Sequence, residues 1–146
     1  MIEPRRPARY ERIHAQLTDL IADKSPSLLA AMATTCAVLH AKMPHHSWTG
    51  FYFAAGPNEM HVGPYQGGVA CQALEGRGVC LHAAHVEAFP GHIACDARAK
   101  SEIVLPILQG EEVVAVLDID STRLAQFDED DVPPLERILS LLQPYL

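Results

Sequence analysis

Three of the four cysteines in this 146-residue chain lie in its glycine-rich middle, where chemistry explains a thiol better than packing does. Cys71, Cys80 and Cys95 are separated by eight and fourteen residues, whereas Cys36 sits in an apolar segment and is predicted to be a core residue. Cys95 lies beside an aspartate in the stretch "AFPGHIACDARAKSEIV", which is typical of a loop. In a reducing compartment, such thiols favour a catalytic or redox role over a structural disulfide framework.

The spacing of the possible ligands does not favour a metal site. A zinc site usually includes two cysteines that are two residues apart, and this sequence has no such pair. His82, His85 and His92 could complete a set of ligands, but hydrogen bonds to the backbone explain loop histidines more simply. We therefore predict no bound metal.

Two carboxylates occur in the apolar run "EVVAVLDID". Alternate residues of a strand share a face, so Asp118 and Asp120 should point the same way as Val114 and Val116. Two carboxylates at a strand end can simply be solvated. If valines shelter them, their mutual repulsion should raise the pKa of at least one.

The hairpin loop decides whether Glu102, at the start of the preceding strand, joins this pair. A two-residue loop at Gly110-Glu111 sets Glu102 opposite Ile119, on the wrong face. A three-residue loop centred on Gly110 sets it opposite Asp118. We predict the longer loop, which brings three acids into one patch. Such a patch can hold a proton at neutral pH and bind an ammonium group.

An aromatic pair is the third candidate feature. Trp48, Gly50 and Tyr52 alternate onto one face of the strand "SWTGFYFAA", and the glycine should leave a gap between the two rings. Both rings can be ordinary core residues. As a binding wall, they would suit a cation, a thioether or a sulfoxide methyl group.

The elements that must position these residues run in the order helices, strands, helix. Apolar residues from Tyr10 to Ile21 recur at helical spacing, and a second helix should begin at Ser25-Pro26 or Ser27. Two hairpins follow, "SWTGFYFAA" with "MHVGPY" and "EIVLPILQ" with "EVVAVLDID", and the apolar residues from Phe127 to Leu142 predict a closing helix. We predict an α/β (α+β) fold in which a mostly antiparallel sheet is flanked by N-terminal and C-terminal helices. Residues 1–146 should form one domain.

Composition and charge narrow the choice of partners. The formal net charge is −7, and Arg5, Arg6, Arg9 and Arg12 are four of only eleven basic residues. This cluster is expected to be a solvated first turn, which leaves no basic stripe for nucleic acid. The apolar stretch "SLLAAMATTCAVLHA" is too short to span a membrane, and the N-terminus lacks a secretory signal, so we expect a cytoplasmic protein.

Six motifs occur in the order in which they occur in the free methionine-(R)-sulfoxide reductases. They are "SWTGFYF", "VGPYQGGVAC", "GRGVC", "FPGHIACD", "SEIVLPI" and "VLDIDST", from about Trp48 to Thr122. The chain resembles that family, whose members are single-domain proteins with the GAF fold. The resemblance implies reduction of free L-methionine-(R)-sulfoxide, electrons from thioredoxin and NADPH, no bound cofactor, and a homodimer.

The resemblance also implies roles for individual residues. Cys95 looks like the nucleophile that becomes a sulfenic acid, and Cys71 and Cys80 look like resolving thiols. A protonated acid of the cluster would deliver a proton to the departing sulfoxide oxygen. The residues implied to bind the substrate are Trp48, Tyr52, Ile93, Ala94, Glu102, Asp118 and Asp120.

One departure from the family affects the choice of resolving thiol. The stretch between Cys80 and Cys95 is shorter than in the family, whereas the match from Trp48 through Cys71 has no gap. A disulfide needs Cα atoms about 4.4 to 6.8 Å apart, so a modest displacement of Cys80 would prevent its pairing. We therefore predict a Cys71–Cys95 disulfide after turnover.

Two alternatives come from other classes of protein. One is a GAF module that binds a small molecule without converting it, because fold does not determine function. The other is a thiol redox sensor that acts on a partner protein. A sensor of that kind needs cysteines but not three carboxylates beside an aromatic wall, so the acid patch favours the enzyme.

Overall fold

Two long hairpins joined side by side form the centre of the molecule. The computed structural model describes residues 6–75, 82–83 and 98–146. In these residues six antiparallel strands form one sheet in the order β3-β2-β1-β6-β5-β4. The strands are β1 (Trp48–Ala54), β2 (Glu59–Gly67), β3 (Ala73–Glu75), β4 (His82–Ala83), β5 (Ser101–Gln109) and β6 (Glu112–Ser121). Both predicted hairpins, β1–β2 and β5–β6, are present, and the β1–β6 pairing joins them.

Three α-helices accompany this sheet in the described part of the chain, close to where the sequence predicts them. They are α1 (Arg6–Ile21), α2 (Leu28–Lys42) and α3 (Val132–Ser140). The side chain of Ser27 accepts a hydrogen bond of 3.1 Å from the backbone N–H of Ala30, so Ser27 is the N-cap of α2. No described helix is long and apolar enough to cross a membrane.

The helices pack against one face of the sheet, and this face holds the main core. Phe51, Ile103, Leu117 and Ile119 point to it, are 0% exposed, and share a cluster with apolar residues of α1, α2 and α3. The opposite face carries a second, smaller cluster: Trp48, Tyr52, Met60, Ala70, Val104 and Val116. The two faces of the sheet thus carry two separate clusters of apolar residues.

Cys36 belongs to the main core, as the sequence predicts. It is 1% exposed, and its thiol donates a hydrogen bond of 3.3 Å to the carbonyl oxygen of Pro64. Burial raises the pKa of the Cys36 thiol to about 12. Because the thiolate is the reactive form, Cys36 is unreactive near neutral pH.

Asp131, which is 1% exposed, connects α1 to the start of α3. Its carboxylate accepts hydrogen bonds from the guanidinium of Arg6 at 2.6 Å, the hydroxyl of Tyr10 at 2.8 Å and the backbone N–H of Asp128 at 2.8 Å. Arg6, expected to be solvated, is therefore part of an ion pair. Asp128 in turn caps the short 3-10 helix Glu129–Asp131, which leads directly into α3.

We predict that Asp131→Ala lowers the free energy of unfolding by about 3 kcal/mol, because it leaves a buried hydroxyl and a guanidinium without their acceptor. Chemical denaturation monitored by circular dichroism measures this loss. Asp130→Ala, one residue earlier and exposed, is the matched control and should cost less than about 1 kcal/mol. Equal losses in the two variants would contradict the role given to Asp131.

Candidate active site

Three carboxylates meet on the face of the sheet that lies opposite the helices. Glu102 on β5 and Asp118 and Asp120 on β6 each place a carboxylate oxygen within 4.8 Å of the other two. Glu102 is 9% exposed and Asp118 is 8% exposed. The acids therefore share one sheltered patch, which is the arrangement that the strand pattern predicts. Among the described residues, this is the only group whose geometry would suit a metal ion.

The predicted hairpin register was wrong, although it placed Glu102 on the correct face. Gln109 pairs with Glu112, so the loop has two residues, and Gly110 has a φ of +65° that favours glycine. Glu102 lies opposite Asp120 and not opposite Asp118. A regular two-residue hairpin would have turned Glu102 away from the acids, so a further irregularity must correct the register.

That irregularity is a β-bulge in β6. Ile107 pairs with Ala115 and Leu108 with Val113, so Val114 is the extra residue. One added residue reverses the faces, since side chains alternate along a strand. Val113 therefore packs with the cluster on the acid face, and Val114, predicted to lie beside the acids, packs against the main core.

Pairing between β1 and β6 brings the aromatic residues to the same face. Trp48 lies opposite Asp120, and Gly50 lies opposite Asp118. Because Glu102 also lies opposite Asp120, Trp48, Asp120 and Glu102 form one row across three strands. The predicted aromatic residues and the predicted acids thus occupy one site.

The indole of Trp48 forms a wall of this site with two tyrosine rings. It stacks on Tyr52 with ring centroids 5.6 Å apart and on Tyr65 with centroids 5.3 Å apart. Its Nε1–H donates a hydrogen bond of 3.2 Å to the carbonyl oxygen of Gly68. Tyr65, which the sequence pattern did not indicate as a site residue, reaches this face because a β-bulge in the first hairpin sets it opposite Gly50.

The gap expected above Gly50 is filled. A Cβ atom added to Gly50 would lie 2.3 Å from Cη2 of Trp48 and 2.5 Å from Cβ of Tyr65. The glycine makes room for the indole itself, so the prediction of an open gap between the two rings was wrong.

Tyr52 couples this wall to the acids. It is 3% exposed, and burial, followed by the negative charges of Asp118, Asp120 and Glu102, raises the pKa of its hydroxyl above the ordinary value. The hydroxyl therefore stays protonated at neutral pH and can donate a hydrogen bond beside the carboxylates.

Of the three cysteines predicted for the site, the described residues include Cys71, which is half-buried and disulfide-bonded. It follows Ala70, a member of the cluster that contains Trp48 and Tyr52. Cys80, Cys95, Ile93 and Ala94 lie outside the described residues, so the roles and the pairing predicted for them stay predictions. Ala83 of β4 pairs with Glu102, so β4 lies next to the row formed by Trp48, Asp120 and Glu102.

Comparison with known proteins identifies the family. The GAF domain model matches residues 15–142. The chain is 36% identical to the free methionine-R-sulfoxide reductase of Escherichia coli, over 94% of this chain and 88% of that protein.

Solved structures agree with this match. The free methionine-R-sulfoxide reductase of Neisseria meningitidis in complex with its substrate has a TM-score of 0.90 at 32% identity, over 99% of this chain and 92% of that one. The substrate complex of the Staphylococcus aureus enzyme has a TM-score of 0.84 at 34% identity, over 100% and 99% of the two chains. The chain belongs to the GAF-domain family and, within it, to the free methionine-R-sulfoxide reductases.

Proposed function

We propose that this protein reduces free L-methionine-(R)-sulfoxide to L-methionine. The observation that carries the proposal is the row formed by Glu102, Asp120 and Trp48, with Asp118 beside it. The row combines a sheltered negative patch with an apolar ring on one sheet face. Relatives that carry the name of this activity share the fold over nearly the whole chain.

The row suits the two ends of the substrate. A free amino acid has an ammonium group, which the carboxylates of Glu102, Asp118 and Asp120 would attract. The S-methyl group would contact the edge of the Trp48 indole, because the rings of Tyr52 and Tyr65 stack on the indole and sulfur groups pack favourably at ring edges. A methionine sulfoxide residue within a peptide lacks the ammonium group, so the acids favour the free amino acid.

The proposed chemistry begins with the thiolate of Cys95, which attacks the sulfoxide sulfur. A proton held by the acid cluster passes to the sulfoxide oxygen, which would otherwise leave as a poor anion. The protonated oxygen leaves as hydroxide as an S–S bond forms between Cys95 and the substrate. Hydroxide then adds to the Cys95 sulfur, and the S–S bond breaks with its electron pair going to methionine, so the products are methionine and a Cys95 sulfenic acid. The motif "FPGHIACD" supports the choice of Cys95. In the sequence this motif lies between β4 and β5, and these two strands pair at Glu102.

A second thiol completes the proposed cycle. Cys71 condenses with the sulfenic acid, which releases water and forms a Cys71–Cys95 disulfide. Thioredoxin reduces this disulfide by exchange, and NADPH supplies the two electrons to thioredoxin. The resemblance to the family extends the proposal to a cytoplasmic homodimer without a bound cofactor.

Turnover separates this proposal from a binding module or a redox sensor. With thioredoxin, thioredoxin reductase and NADPH, the R sulfoxide of free methionine should cause NADPH oxidation. The S sulfoxide and N-acetylmethionine sulfoxide should cause little, because one presents the wrong stereochemistry at sulfur and the other has no ammonium group. Binding of the R sulfoxide without turnover would leave the binding module as the better function.

In the same assay, Asp118→Asn, Asp120→Asn and Glu102→Gln should each lower kcat/KM about 100-fold or more, because the proton donor and the ammonium site share these groups. The pH profile of the remaining activity should also change. Glu112→Gln, which removes an exposed acid at the other end of β6, is the control and should retain wild-type activity. Wild-type activity and an unchanged pH profile in the three site variants would mean that the acids are only solvated surface.

Cys95→Ser should abolish the release of methionine in the first turnover, since a nucleophile is needed before any recycling. Measurement of methionine after mixing the reduced protein with excess R sulfoxide, without reductant, tests this. Cys36→Ala should retain the burst. Peptide mapping of the oxidised wild type should find Cys71 linked to Cys95. A residual burst in Cys95→Ser would rule out the nucleophile, and a Cys80–Cys95 link alone would rule out Cys71 as the resolving thiol.

A further inference from the structure

The indole of Trp48 is confined on several sides. It lies between the rings of Tyr52 and Tyr65, at interplanar angles of 26° and 22°, and its Nε1–H is bonded to the carbonyl oxygen of Gly68. The residue is 5% exposed. Contacts of this kind would also suit a tryptophan in an ordinary core, but Trp48 lies in one row with Asp120 and Glu102.

Gly50 determines where the indole can lie. A Cβ atom at this position would come within 2.3 Å of Cη2 and 2.7 Å of Cζ3 of Trp48, far closer than carbon atoms can approach. The six-membered ring of the indole therefore occupies the space above the glycine. Since Gly50 is paired with Asp118, this placement brings the ring from the row of Asp120 towards the row of Asp118.

Tyr65 also confines the indole of Trp48. It lies opposite Gly50 on β2, and its ring stacks on the indole with a centroid separation of 5.3 Å. The Cβ of Tyr65 is also 2.5 Å from the position that a Gly50 side chain would take, so the two residues form one seat for the indole. An offset or tilted aromatic pair of this kind is stabilising beyond the area that it buries.

We propose that Gly50 and Tyr65 are positioning residues that hold Trp48 beside the acids and thereby determine the affinity for the substrate. The inference rests on the proposed function, because it assigns the Trp48 ring to the methyl end of methionine sulfoxide. Neither residue is assigned contact with the reacting atoms. Loss of either should therefore weaken binding and leave the chemical step intact.

Trp48 is the single tryptophan of the chain, so its fluorescence reports the position of the indole without any assay of activity. Gly50→Ala and Tyr65→Leu should shift the emission to longer wavelength and increase quenching by acrylamide. In the coupled assay, KM for the R sulfoxide should rise about 3- to 10-fold. The value of kcat should stay within about twofold of wild type. Tyr65→Phe keeps the ring and should restore both emission and KM.

Gly63→Ala is the matched control. A Cβ at Gly63 would lie 2.6 Å from Cε2 of Phe53, so this variant also crowds a ring in the first hairpin, but away from Trp48. It should lose stability and keep the wild-type emission and KM. If Gly50→Ala does not fold, the emission and KM of Tyr65→Leu alone test the proposal.

Unchanged emission and KM in Gly50→Ala and Tyr65→Leu would overturn the proposal, as would an equal rise of KM in Gly63→Ala. A wild-type protein without turnover would refute the proposed function instead, while the emission of the variants would still test the placement of the indole.

Discussion

The register of β1, β6 and β5 is the constraint on which the site depends. Phe51, Ile103, Leu117 and Ile119 fill the main core from these strands, and each is 0% exposed. A slip of one residue would turn these side chains to the opposite face, at a cost of about 1.5 to 3 kcal/mol for each. The packing under the helices therefore holds the register, and the register in turn places Trp48, Asp120 and Glu102 in one row.

The packing of the main core, which holds the strand register, also explains how three like charges can stay close together. Carboxylates within 4.8 Å of one another repel, and their partial burial adds a desolvation cost. Strand pairing and the main core offset that cost, although neither involves the carboxylate groups directly. Burial raises the pKa of the Tyr52 hydroxyl, and the negative charges of the neighbouring acids raise it further.

Alternation along the strands was enough to predict the hairpins and to put Asp118 and Asp120 on one face. What it could not show is the pair of β-bulges. In β6, the extra residue Val114 brings Glu102 to the acids despite the short loop. In the first hairpin, a shift between Gly50 and Tyr52 sets Tyr65, in place of Pro64, opposite Gly50. Bulges arise from local backbone geometry, and no residue pattern in this sequence indicates where they occur. The space at Gly50 likewise could not be assigned, because the position of the Trp48 indole depends on both strands.

The central claim is that this sheet register builds the site for free methionine-(R)-sulfoxide. A crystal structure of the Cys95→Ser variant with the R sulfoxide tests it most directly. The ammonium group should lie within hydrogen-bond distance of carboxylates of the cluster Glu102, Asp118 and Asp120, and the S-methyl group should contact the indole of Trp48. Substrate bound elsewhere, or on this face with its ammonium group away from all three acids, would contradict it.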